Sequence, residues 1–207
     1  MEADWSVELL TDDPVIVVPW AAARDDSRKC EFVDLRLGGN VVDEIEEARN
    51  VPELRTALLL LNSTVSPLWT TKCDTWESDI RMDPYEMDAA PADTSFSFGS
   101  YIDLLAKDRI LQASFDRQEQ WVRAITETLR AVEARAARME LVLRRAQVDH
   151  ASGYGVSWFV AGCGATAQRA RQAWSEALGL ALPVITNADL IQLRLRIDDD
   201  TMTESGE

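Results

Sequence analysis

From Phe115 to Asp149 the chain runs for about 35 residues with no Gly, Pro or Asn to interrupt it. It then enters Asp149-His-Ala-Ser-Gly-Tyr-Gly155 and the apolar run Val156-Ser-Trp-Phe-Val-Ala161. How this stretch divides limits the folds open to the whole chain. Val122, Ile125, Leu129, Val132 and Ala136 recur at steps of three and four, with Arg, Glu and Thr on the other side, which is the pattern of an amphipathic helix. The stepping continues through Met139, Leu143 and Ala146, so one helix reaching Asp149 competes with a break near Arg138. The break is preferred. A helix of that length is unusual in a globular domain. The run 156–161 also has the composition of a strand and needs a neighbour, which 139–148 supplies, with 149–155 as the hairpin loop.

The flanks extend this pattern. Ser97–Ala106 reads as a strand ahead of the helix. After the corner Gly162-Cys-Gly-Ala-Thr166, a helix is expected from Ala165 to Leu180, with Ala167, Ala170, Trp174, Ala177 and Leu178 on one stripe. Pro183–Thr186 reads as a short strand, and 188–197 as more strand or a terminal helix. Residues 97–197 therefore read β-α-β-β-α-β, the split βαβ order of a ferredoxin-like α+β unit.

The first half is read as a smaller α+β region, packed on that sheet or extending it. Residues 1–13 look like a polar leader. Strands are expected at Pro14–Trp20, Glu31–Leu37 and Leu68–Trp76. A short helix is expected from Asn40 to Ala48, and another from Pro52 to Leu61, buried on all sides. Tyr101-Ile-Asp-Leu104 echoes Phe32-Val-Asp-Leu35, which raises the idea of two related halves. The stretch 77–95 holds 6 acidic residues and two prolines without a period, and reads as a loop and boundary. The expected division is thus 1–95, 96–197 and a disordered acidic tail, 198–207.

Charge narrows function. The net charge is −15. Residues 1–106 carry 22 acidic and 8 basic residues, a net of −14, whereas 107–197 carry 9 acidic and 13 basic, a net of +4. This argues against nucleic acid, whose phosphates need clustered Lys and Arg. It favours solubility, a basic protein partner, or association between copies. No apolar run approaches the ~18–20 residues that span a bilayer, and the acidic N-terminus does not resemble a signal peptide. The three cysteines, Cys30, Cys73 and Cys163, are odd in number and far apart. They form neither a disulfide framework nor a zinc ribbon. The cytoplasm is the expected compartment.

Several residues are candidates for chemistry. Asp34, Asp74 and Asp103 each fall on an expected strand, where carboxylates are disfavoured. If they converge they could hold Mg²⁺ or Mn²⁺ or form an acid–base pair; if they point outward they are a solvated face. Cys73 lies between Lys72, which would activate a thiol, and Asp74, which would not; a buried core thiol is the plainer expectation. His150, the single histidine, would have to serve any Cys–His or Ser–His pair, yet it sits in the hairpin loop. Gly162-Cys-Gly-Ala-Thr-Ala167 fits G-x-G-x-x-A after a strand, but too little chain remains for a dinucleotide fold. Gly162, Gly164 and Thr166 remain as an anion site at a helix start, against a simple packing role for the glycines. The seven tryptophans are core anchors or the lining of an interface. No cofactor or resident metal is indicated. The expected function is binding of a small ligand or protein partner; the alternatives are a metal-dependent hydrolase or transferase, and an acidic decoy for a basic site.

Overall fold

The computed structural model describes residues 1–9, 15–20 and 31–187. Among these the chain forms a mixed α+β structure. Its elements in order are β1 (Glu2–Glu8), β2 (Ile16–Val18), α1 (Glu46–Asn50), α2 (Pro52–Leu61), β3 (Leu68–Ser78), β4 (Phe96–Ala106), α3 (Arg109–Ala113), α4 (Phe115–Arg130), β5 (Ala137–Val148), β6 (Ala151–Gly164) and α5 (Ala167–Ile185).

The strands make a six-stranded sheet in the order β1-β5-β6-β4-β3, with β2 also paired to β5. β1 and β2 run parallel to β5, one after the other along its edge. The pairings β5–β6, β6–β4 and β4–β3 are antiparallel. β4 and β5 therefore flank β6 on either side, joined by the segment that holds α3 and α4. β3, from the first half of the chain, pairs with β4, from the second.

The long unbroken stretch does divide. α4 ends at Arg130, and β5 starts at Ala137 after a turn in which Ala136 takes φ +54°. The hairpin loop is shorter than expected. Only Asp149 and His150 form the turn, both at positive φ, and pairing resumes at Val148–Ala151. Two positive-φ residues match the right-handed twist of paired strands. The glycines of 151–155 mark close contacts inside the sheet rather than a loop. A Cβ at Gly153 would lie 2.7 Å from the Gln112 carbonyl oxygen, and one at Gly155 would lie 2.7 Å from Leu105.

One face of the sheet carries the main core. Phe98, Ile102 and Leu104 of β4 alternate inward, and Trp158 and Trp174 are wholly buried among them. The Trp174 indole N–H donates to Ser100 Oγ at 2.9 Å, which settles its one polar atom. α5 sits close on β6 because Gly162 and Gly164 have no side chains. A Cβ at Gly162 would stand 2.6 Å from the Ala170 carbonyl oxygen, and one at Gly164 2.6 Å from the Ala170 nitrogen.

Four local expectations are corrected. Residues 31–37 are not a strand: they turn into a 3-10 helix at Leu35–Leu37. Their alternation arises because the segment touches both faces, Phe32 in a small apolar cluster with Trp69 and Leu105, and Val33 and Leu35 in the main core. The helix expected over 40–48 is instead a 3-10 helix at Gly39–Glu44 followed by α1. α2 is not buried all round, since Leu59 and Leu60 stay 42% and 49% exposed. Pro183–Thr186 is not a strand: α5 runs through Pro183 to Ile185 because Ala181, Leu182 and Ile185 are buried in the core. Packing there outweighs the lost N–H of proline. The closing strand of the β-α-β-β-α-β order is thus absent among the described residues, and 188–197 lie outside them.

Residues 1–8, expected as a polar leader, include β1, tied down by the Met1 ammonium on the Val132 carbonyl and by Arg130 on the Ala3 carbonyl. Beyond Ser78 the acidic stretch to Thr94 is irregular, with a 3-10 turn at Pro91–Asp93. It buries Met87 and is fixed by Met82 N–H on Thr94 and Ala136 N–H on Asp88. Among the described residues no helix is long and apolar enough to cross a membrane.

Candidate functional site

On the opposite face of the sheet α3 backs onto β6 at Gly153, and beyond that end the face carries none of the described α-helices. That same end holds the small cluster of Ile16, Val18, Trp69, Leu105 and Ala146, with Phe32 and Val148 against it. The rest is polar and aromatic, and register defines it. Cross-strand partners share a face. Asp74 lies opposite Tyr101, Tyr101 opposite Phe159, Phe159 opposite Glu140, and Glu140 beside Asp4. One row across five strands therefore reads acid, aromatic, aromatic, acid, acid. The two rings are 5.8 Å apart at 40°.

In the next row, the Trp76 ring rests against the backbone of Gly99 and stays 41% exposed. A side chain at position 99 would displace it. In the row on the other side, Asp103 is buried opposite Ser157, whose hydroxyl donates to Asp103 Oδ1 at 2.5 Å. Burial pushes the Asp103 carboxyl above the usual carboxylate range, opposed by the Ser157 hydrogen bond and by Arg144 and Lys72. Tyr101 is also pushed up, first by burial and then by the negative charge of Asp103 and Asp74, with Glu47 adding to it.

The cations on this face are largely spoken for. Arg144 pairs with Glu8 at 2.8 Å and reaches over the Phe159 ring, while Arg138 pairs with Glu86 at 3.2 Å. Lys72 lies over the Trp20 ring. Ser6 donates to Glu140 at 3.1 Å, and Asp74 accepts from the Thr75 N–H at 2.8 Å. Among the described residues, neither Asp74 nor Glu140 has an ion-pair partner.

The three strand aspartates divide. Asp74 and Asp103 share this face on adjacent strands. Asp34 does not join them: it caps the 3-10 turn at Leu35–Leu37, and both its oxygens are taken by the Arg36 guanidinium, at 2.8 and 2.7 Å, which holds its carboxyl below the usual range. Among the described residues no group of three or more His, Cys, Asp or Glu side chains is placed to hold a metal ion. Cys73 points to the main-core face, and its thiol is pushed far up by burial and by Glu47, Asp74 and Asp103. His150 is exposed in the β5–β6 turn, away from these residues.

The Gly corner lies at the other end of the sheet. Thr166 caps α5 by accepting from the Arg169 N–H at 3.3 Å. Beside it an open cleft of about 600 Å³ is lined by Asp88, Asp93, Arg135, Cys163, Gly164 and Arg169 among others. Arg169 lies 3.9 Å from Asp93, so charge of both signs meets there.

Tyr101, Phe159 and Glu140 were not singled out in the sequence, and Trp76 was one of seven tryptophans with no rank among them. No family model, curated protein or solved structure matches the chain.

Proposed function

We propose that this protein acts by binding, and that the helix-free sheet face is its binding surface. The row Asp74–Tyr101–Phe159–Glu140–Asp4, with Trp76 beside it, carries this reading. Trp76 is the exposed ring of this patch, with Tyr101 and Phe159 half-buried beside it. Rings so placed supply contact area at low entropic cost, and carboxylates around them set orientation and specificity. A protein partner suits an extended face of this kind better than a small molecule, which takes a concave site. We infer a ferredoxin-like plan for the scaffold. β4 and β5 on either side of an antiparallel β6, followed by α5, support it, with β3 standing beside β4 where the closing strand would lie. The scattered cysteines fit a reducing compartment such as the cytoplasm.

The test is a benzophenone side chain installed at position 76, on the face, or at position 127, on an exposed turn of α4, in the full chain within its own cells. A discrete photo-adduct from position 76 that is missing from position 127 is expected. No adduct from 76, or the same products from both positions, would overturn the proposal.

A further inference from the structure

Resting on that sheet-face reading, we infer that the occupant is a basic protein segment presenting arginine side chains. The argument is charge complementarity joined to ring geometry. Elsewhere this chain seats its own cations on its own rings: Arg36 lies 4.1 Å from the Trp69 ring centre and Arg123 lies 4.7 Å from that of Trp5. Among the described residues no cation lies over Trp76 or Tyr101. These rings stand beside Asp74, while Glu140 stands beside Phe159, whose ring already has Arg144 over it at 5.9 Å. Both carboxylates lack an ion-pair partner among the described residues. The nearby cations are already engaged, Arg138 by Glu86 and Arg144 by Glu8.

A ring face next to a carboxylate that has no ion pair is a site for a guanidinium, which stacks on the ring while its N–H fork meets the carboxylate. An ammonium does the first less well and the second without the fork. The spacing selects a segment over a small cation. Three inter-strand gaps separate Asp74 on β3 from Glu140 on β5, roughly 14 Å at about 4.8 Å per gap. An extended chain covers that distance in about four residues, so two arginines about four apart reach both carboxylates. The net charge of −15 draws such a segment in at long range and repels nucleic acid.

The probe is fluorescein-labelled nona-arginine, followed by anisotropy with the full chain, alongside nona-lysine and nona-glutamate. Nona-arginine is expected to bind, to weaken about tenfold between roughly 50 and 300 mM NaCl, and to outbind nona-lysine. Nona-glutamate is expected not to bind. Trp76→Ala, and separately the pair Asp74→Asn with Glu140→Gln, is expected to weaken binding by about tenfold. The pair Glu127→Gln with Glu133→Gln removes as much charge elsewhere and is expected to change it by less than about twofold. Thermal melts confirm that each variant is folded.

Equal losses from the two double variants would mean attraction to net charge alone and would overturn the inference. So would sedimentation showing a dimer that Trp76→Ala dissociates, since the occupant would then be a second copy. A photo-adduct at position 76 without nona-arginine binding would keep the sheet face and discard the basic segment. Neither adduct nor binding would discard both.

Discussion

The hydroxyl of Ser157 on β6 donates to the buried carboxylate of Asp103 on β4, 2.5 Å away in the middle of the helix-free face. A carboxylate in that position loses hydration that one hydroxyl does not replace. Arg144 and Lys72 offset part of the loss, but burial dominates and raises the carboxyl.

The pH dependence follows from that direction. A raised carboxyl keeps its proton in the folded chain at pH values where the unfolded chain has released it. Stability from this group is therefore present at low pH and is lost as pH rises through the window above the ordinary carboxylate value. Asp103→Asn keeps an acceptor for Ser157 and removes the titration. Its melting temperature is expected to exceed that of the wild type near pH 7 by a few degrees, the shift that about 1 kcal/mol produces in a chain of this size. The gap is expected to close near pH 4. Calorimetric melts across that range measure it, and a gap independent of pH would assign the effect to packing instead.

Cys73 supplies a prediction about chemistry. Its thiol packs against the main core and is pushed far above the ordinary cysteine value by burial and three carboxylates. Attack and alkylation both need the thiolate. Iodoacetamide at pH 8 is therefore expected to leave Cys73 unmodified in the folded chain and to label it fully in urea, as read by peptide mass spectrometry. Rapid labelling of the folded chain would restore Cys73 as a nucleophile. Cys163 is expected to behave in the same way, since it is buried where Cys73 is half-buried and its thiol is also raised.

The contrast between two glycines tests the seat of α5. At Gly162 a methyl group would meet the Trp174 backbone and stand 2.6 Å from the Ala170 carbonyl oxygen, both parts of a helix that cannot give way locally. Gly162→Ala is expected to cost about 3 kcal/mol in urea unfolding, the upper range for overpacking. Gly179, inside the same helix, has nothing within 4 Å of an added Cβ. Gly179→Ala is expected to stabilise by about 0.5–1 kcal/mol through backbone entropy. Similar effects from the two changes would mean that α5 does not sit on β6 at this distance.

These cases also mark what could be read from the sequence. α4 was legible because its apolar residues step by three and four, the β5–β6 hairpin because Val156–Ala161 demanded a partner although 139–148 kept the helical stepping, and β4 because its composition is that of a strand. Residues 31–37 misled because a segment that touches both faces of a sheet alternates as a strand does. Pro183 misled because the burial of Ala181, Leu182 and Ile185 is a tertiary fact with no local trace. The candidate site was half visible. An aspartate on a strand is anomalous wherever it occurs, so Asp74 and Asp103 stood out. Tyr101 and Phe159 are ordinary strand residues, and only the register of β4 against β6 brings their rings together. Asp34 looked equivalent to the other two until Arg36, two residues away, claimed both its oxygens.

The β5–β6 turn gives the last prediction. Asp149 and His150 take φ of +48° and +72°, a conformation that a two-residue hairpin turn requires and that a side chain opposes. Asn-Gly is the pair best suited to it. His150 is exposed, so its replacement removes strain without removing buried contacts. Asp149→Asn with His150→Gly is expected to stabilise the chain by about 1 kcal/mol and to raise its melting temperature by roughly 2–4 °C. Binding at the helix-free face is expected to be unchanged, because the turn lies past the small apolar cluster at the far end of the sheet. If the double variant melted higher but bound less, His150 would gain a part in recognition that its position in the turn does not explain.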